Sequence, residues 1–313
     1  MGQLGPISRC LVALLLTGSA ATLLGAAAGS ITLRGERWQA RPMRVAALTV
    51  APRECLAPST NDTDAQLISI GRTAFNYPLL LGGQAARSQL SCAACHPSGR
   101  RNAGFLLQGL SDGPGTADVT SSMMSSHRDN GVFDPKPIAD LAKPAISRDP
   151  ASPALATFVH GLITEEFDGT EPPKAVFEGL LAYIRAVRTC QPDAVVPITI
   201  DAAIADIETA MRNAGDALRL NDRPSARLLI GAARLRLGDI YERYALTSLQ
   251  ADQAAIQTAD RPLLELQHAL DRREDIHLRL AAWRFSTRLR QRLLRNAPRS
   301  FYDPATLAAK IEP

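Results

Sequence analysis

The sequence predicts an all-α protein built as two helical regions in series. Three observations carry that expectation. Lys174–Arg188 places Val176, Leu180, Tyr183, Ile184 and Val187 on one helical face. Further on, Ile200, Ile204, Ile207, Met211, Ala214 and Leu218 recur in alternating steps of four and three, the seam of a bundle helix. The chain also lacks the strand–helix alternation that announces an α/β sheet.

The 313 residues allow two ordinary domains. With 46% hydrophobic and 21% charged residues the composition is globular. The net charge of +4 is small for this length, and no Lys/Arg patch interleaves with aromatics, so nucleic acid is not an expected partner.

Residues 1–30 read as a signal peptide or an N-terminal anchor. Arg9 precedes an apolar run from Cys10 to Gly29, and Ala26-x-Ala28 offers a small-x-small cleavage site. A secretory signal is the leading reading. The run is also long enough to anchor the chain in a membrane uncleaved, and both readings place the remainder across the membrane. Residues 31–60 read as a linker.

Residues 61–190 form the first predicted domain. A helix is expected over Ala65–Tyr77, with Thr63 and Gln66 as a capping-box pair and Pro78 as its stop. From Pro97 to Pro150 the chain is rich in Gly, Pro, Asp and Ser and reads as loop around an organising centre. Ser152–Ile163 reads as helical, and Pro172-Pro173 opens the helix over Lys174–Arg188. After the linker QPDAVVP, residues 198–313 read as an antiparallel bundle of three or four helices. A stripe of Leu229, Ala233, Leu237, Ile240 and Tyr244 marks its second helix. Two more are expected around Leu249–Leu270 and Ile276–Leu294, or one rod fusing them beyond Pro262.

The chemistry is concentrated in Ser91-Cys92-Ala93-Ala94-Cys95-His96. Two thiols one helical turn apart can add to the two vinyl groups of a haem, and the adjacent imidazole then lies beneath the iron. A zinc half-site would want a second Cys/His pair at ligand spacing, and a redox dithiol would follow a strand; neither context is present. The expectation is one covalently bound haem c held by Cys92 and Cys95, with His96 as proximal iron ligand. Of the five cysteines, Cys10 falls in the leader, and Cys55 and Cys190 bracket the motif. In an oxidising compartment these two could form a disulfide or stay as unrelated thiols.

In the helix before the motif, Gly71 and Phe75 stand four apart, and the helix after it carries Tyr183 amid aliphatics. This resembles the cytochrome c fold, in which the first and last helices cross closely at a glycine and an aromatic pair seals the contact. The stretch from Gly71 through Phe75, Pro78 and Gly82-Gly83 to Cys92, with Phe167-Asp168-Gly169, is similar to haem domains of the dihaem cytochrome c peroxidase and MauG family. The resemblance covers roughly Asp64 to Arg188 and implies a cytochrome c-like haem domain. Enzymes of that family use two haems, whereas this chain carries one motif.

The sixth iron position has several candidates. Met124 or Met123, in the polar stretch SSMMSSHRDN, comes first as a ligand, with packing against the haem edge as the alternative. His127 comes next, then an open site. His160, on a mostly apolar helix, reads as a core histidine. The resulting expectation is an exported, periplasmic monohaem c-type cytochrome passing single electrons to or from a redox partner protein. The alternatives are a peroxidase-type oxidoreductase with His127 or Glu165 as acid–base group, and a haem-based sensor or assembly subunit. Arg284, Arg288, Arg292 and Arg295 form a basic stripe that reads first as a solvated bundle face.

Overall fold

Helical periodicity is matched by the fold. The protein is all-α, with short strands only as ties, in a computed structural model that describes residues 33–120, 124, 132–143 and 146–311. In chain order the helices are α1 (Arg44–Thr49), α2 (Asp62–Phe75), α3 (Gly83–Arg87), α4 (Cys92–Cys95), α5 (Ala154–Gly161) and α6 (Lys174–Ala186). They continue with α7 (Ile200–Arg219), α8 (Arg223–Arg243), α9 (Gln250–Asp271), α10 (His277–Ala282), α11 (Thr287–Asn296) and α12 (Pro304–Ile311). Strand β1 (Val50–Pro52) pairs antiparallel with β4 (Val195–Pro197), and β2 (Thr116–Ala117) with β3 (Lys136–Pro137).

Helix α2 starts earlier than its apolar stripe suggests. Asn61, not a Thr63–Gln66 box, caps it, its Oδ1 accepting from the Asp64 N–H at 2.9 Å. The helix ends at Phe75, and Pro78 opens a separate 3-10 turn. The last helices are separate, as first expected, rather than one rod fused beyond Pro262, and the second of them is itself broken in two. Pro262 is accommodated inside α9, while the chain leaves helical geometry after Asp271 and again between Ala282 and Thr287. Helix α12 carries no strong stripe and was not expected.

Helices α2 and α6 pack along each other and cross at paired glycines. A Cβ on Gly71 would lie 1.9 Å from the Gly179 carbonyl oxygen, so no other residue fits there without moving backbone. One turn on, the Phe75 and Tyr183 rings meet at a centroid distance of 5.1 Å.

The C-terminal helices rest on apolar seams: Ile204, Ile207, Ala214, Leu229, Ile240 and Leu263 are completely buried. Polar ties join them to the earlier helices. The buried Asn213 donates to the Ser69 carbonyl and the Thr73 hydroxyl, both at 2.9 Å. The first turn of α6 has orphan N–H groups that α8 satisfies: Ala175 N–H donates to Asp222 Oδ2 at 2.8 Å and Val176 N–H to Ser225 Oγ at 3.2 Å. The main hydrophobic core is accordingly continuous from Ile70 to Leu293. Thr32–Pro313 clusters as one unit.

Both stretches read as linkers carry structure: residues 34–52 hold two 3-10 turns, α1 and β1, and QPDAVVP supplies β4. A disulfide joins Cys55 to Cys190 beside this strand pair, with Cα atoms 5.4 Å apart. Among the described residues no helix is long and apolar enough to cross a membrane; the run from Cys10 to Gly29 lies outside them.

Candidate functional site

The short helix α4 carries the motif. Its carbonyl ends are taken up by one residue: Asn102 donates Nδ2–H to the Ala94 oxygen at 2.7 Å and its backbone N–H to the Cys95 oxygen at 3.0 Å. Asn102 is buried, so these bonds fix the turn that presents Cys92, Cys95 and His96. Immediately after it, Gly99 adopts φ +73 beneath Val187, where a Cβ would come within 2.8 Å of both Val187 methyls.

The two motif cysteines are free thiols. All three side chains are half-buried, yet enclosed closely enough that burial governs their titration. It pushes both thiols up to about 12. A catalytic dithiol shows the opposite shift, toward thiolate, so the electrostatics do not favour a redox pair. Burial also lowers the His96 imidazole to about 4, against smaller opposing contributions from the Ala139 carbonyl and the Asp140 charge.

That carbonyl sets the ring's tautomer. His96 Nδ1 lies 3.0 Å from the Ala139 oxygen, an acceptor only, so Nδ1 carries the proton and Nε2 keeps its lone pair for a metal. Ala139 is held in turn by its surroundings. Arg100, one turn past the motif, grips Asp140 through Nε at 3.0 and 3.1 Å and reaches Asp193 through Nη1 at 3.1 Å. Leu141 N–H donates to the Gly99 oxygen at 3.1 Å, closing the strap over residues 139–141.

Met124 is fully buried in the main core, although most of the stretch SSMMSSHRDN that carries it is polar. Met123 and His127 lie outside the described residues. His160 is not a core histidine. It is half-buried, its Nε2 lies 2.6 Å from Glu171 Oε2, and its ring meets Phe177 edge-on. In the basic stripe, Arg292 pairs with the buried Asp252 at 2.7 Å, and Arg284 caps carbonyls at the end of α10.

Among the described residues no three His, Cys, Asp or Glu side chains converge to hold a bare metal ion. What the site offers instead is a pair of unbridged thiols one turn apart and one oriented imidazole nitrogen. That donor set fits a haem attached through the thiols, which brings four of the iron's ligands itself. Sequence reasoning singled out Cys92, Cys95 and His96, which the fold holds on one turn, but missed Asn102, Ala139 and the Arg100–Asp140 brace. The brace acts through a backbone carbonyl, which no side-chain motif signals.

Compared with protein-family models, with curated proteins and with solved structures, the chain matches none. A functional reading therefore stands on the residues themselves.

Proposed function

We propose that the protein is an exported monohaem c-type cytochrome that passes single electrons to or from a periplasmic partner protein. The observation that carries the proposal is the His96 arrangement: an imidazole directly after a Cys-x-x-Cys turn, its Nδ1–H spent on the Ala139 carbonyl and its Nε2 left basic. Cys92 and Cys95 would hold the haem through thioether bonds, and His96 would ligate it from below. A haem so held supplies a one-electron iron couple.

The remaining roles belong to the chain. Asn102 fixes the turn, and Arg100 and Asp140 keep the Ala139 carbonyl in place. Met124 stays the first candidate for the sixth ligand, with core packing as the alternative; a thioether there would fill the position peroxide needs, which would favour an electron carrier over an enzyme. The glycine crossing of α2 and α6 with its Phe75–Tyr183 contact supports a cytochrome c-like domain, and the helices after Thr199 form the bundle packed on it.

The test is an optical spectrum of the reduced, haem-loaded protein before and after carbon monoxide. An unchanged spectrum is expected, and Met124→Ala should make it respond. A prompt response of the wild type would overturn the electron-carrier reading in favour of an open-site enzyme or sensor.

A further inference from the structure

Seven arginines and no Asp or Glu occupy residues 276–299. The bundle uses only some of that charge. Arg290 reaches Glu208 on α7 and Arg292 reaches the buried Asp252 on α9, each at 2.7 Å, and Arg279 meets Glu274 at 3.6 Å. Arg284, Arg288, Arg295 and Arg299 are exposed and form no ion pair among the described residues.

Helical geometry puts two of the unpaired charges on one side. In α11, Leu289 and Leu293 are buried, and the helix packs on α7 and α9. With about 3.6 residues per turn, Arg288, Gln291 and Arg295 fall on the side away from those leucines, and all three are exposed.

The preceding helix, α10, adds an apolar part to that surface. Its Leu280 is buried against α7, with one methyl 3.9 Å from where a Cβ on Gly215 would stand. The opposite side presents Leu278, Ala281 and Ala282, all exposed. Leu278 is 87% exposed, more than any other large apolar side chain among the described residues. Both helices bury one side on α7, so their outer sides turn away from it together. The half-buried Trp283 and the exposed Arg284 join the two.

Charge and shape select the partner. Arginines with no carboxylate between them are attracted to an anionic surface. A leucine that stands proud of its helix enters a fluid lipid layer directly, whereas a folded protein would have to offer it a matching pocket. Arginine stems can lie along the apolar layer while their heads stay among the phosphates. We infer that the outer side of α10 and α11 docks on an anionic phospholipid bilayer. Leu278 enters the boundary between headgroups and acyl chains, and Arg288 and Arg295 meet lipid phosphates. The inference concerns where the chain rests and does not depend on the haem reading.

The experiment is flotation of the exported full chain with vesicles of phosphatidylcholine alone and of phosphatidylcholine mixed with phosphatidylglycerol. It compares wild type, Leu278→Asp, the double variant Arg288→Gln/Arg295→Gln, and the control Leu79→Asp, whose exposed leucine lies before the Cys92–His96 turn. All these changes are on exposed side chains, where substitution leaves the fold intact. Wild type and control are expected to bind the phosphatidylglycerol vesicles, to bind the neutral ones weakly, and to be released as salt rises. Leu278→Asp should lower the partition coefficient about tenfold or more, and the double variant roughly tenfold to thirtyfold. Equal binding of wild type to both vesicle types, kept by both variants, would place the membrane contact elsewhere in the chain and overturn the inference. Anionic binding that Leu278→Asp leaves intact would overturn it too, because charge alone would then account for the contact. A wild type that floats with neither vesicle, yet is captured on immobilised polyglutamate through Arg288 and Arg295, would give the surface to an acidic protein instead.

Discussion

The stretch from Asp62 to Cys190 and the helices from Ile200 to Ile311 share one core but hold their shapes by different means. The later helices carry long apolar seams with acid–base pairs across them, such as Arg234–Asp260 and Arg290–Glu208. Their order follows from periodicity, and each element can be justified by what its own face buries. The earlier stretch has one well-packed helix pair, α2 with α6, and between them the described residues form short helices joined by turns. Those turns are fixed by single polar contacts: Asn102 on α4, Arg100 on Asp140, and Ala139 on His96. Where apolar faces do the work, a region tolerates small changes; where one close approach or one hydrogen bond does it, the region does not.

The largest expected effect is loss of the covalent tie across the earlier stretch. Cys55 and Cys190 close a span of 135 residues, so the double Cys→Ser variant should lose about 4 kcal/mol. Denaturant unfolding without reductant measures this; no loss would mean the strand pair β1–β4 suffices alone. The next test uses two glycines in helix interiors, one in each region. Gly71→Ala would push a methyl into the Gly179 backbone and should cost about 3 kcal/mol. Gly215→Ala meets nothing closer than 3.9 Å in α7 and should stabilise by about 0.5–1 kcal/mol through helix propensity. Equal effects at the two positions would break the contrast.

The smallest effect concerns acid. Burial pushes the Asp140 carboxyl upward, but the hydrogen bonds from Arg100 and the Ala142 N–H, with the Arg100 charge, outweigh it and hold the pKa below the ordinary 3.8. A carboxyl lowered on folding adds stability above its unfolded value and loses it as pH falls through its folded value. Wild type and Asp140→Asn should therefore differ in melting temperature near neutrality and converge well below pH 3.8. A constant difference down to strong acid would mean that Asp140 acts through shape rather than charge.

Legibility in the sequence followed the same divide. Helices α6, α7 and α8 were readable because apolar residues recur over many turns, and Cys92, Cys95 and His96 because C-x-x-C-H is a contiguous pattern. The cap of α2 was misplaced because Asn61 and Thr63 both have side-chain oxygens, and only the fold shows which one meets an orphan N–H. The break after Asp271 was readable, because five charged residues (271–275) separate the two expected helices; the break after Ala282 was not, since Trp283 and Phe285 carry apolar residues across it. Ala139 was invisible for another reason: it acts through its backbone oxygen. His160 was misjudged because it stands beside, not on, the face that buries Leu155 and Val159, and its ring reaches Glu171.

The most direct test of the central claim is the intact mass of the protein exported from cells that mature c-type haem, compared with Cys92→Ala/Cys95→Ala made the same way. The account predicts a wild-type chain heavier than its polypeptide by one haem, with the haem retained after denaturation, and a double variant with the bare mass. A wild type of bare mass under those conditions, or a double variant that still carries covalent haem, would contradict it.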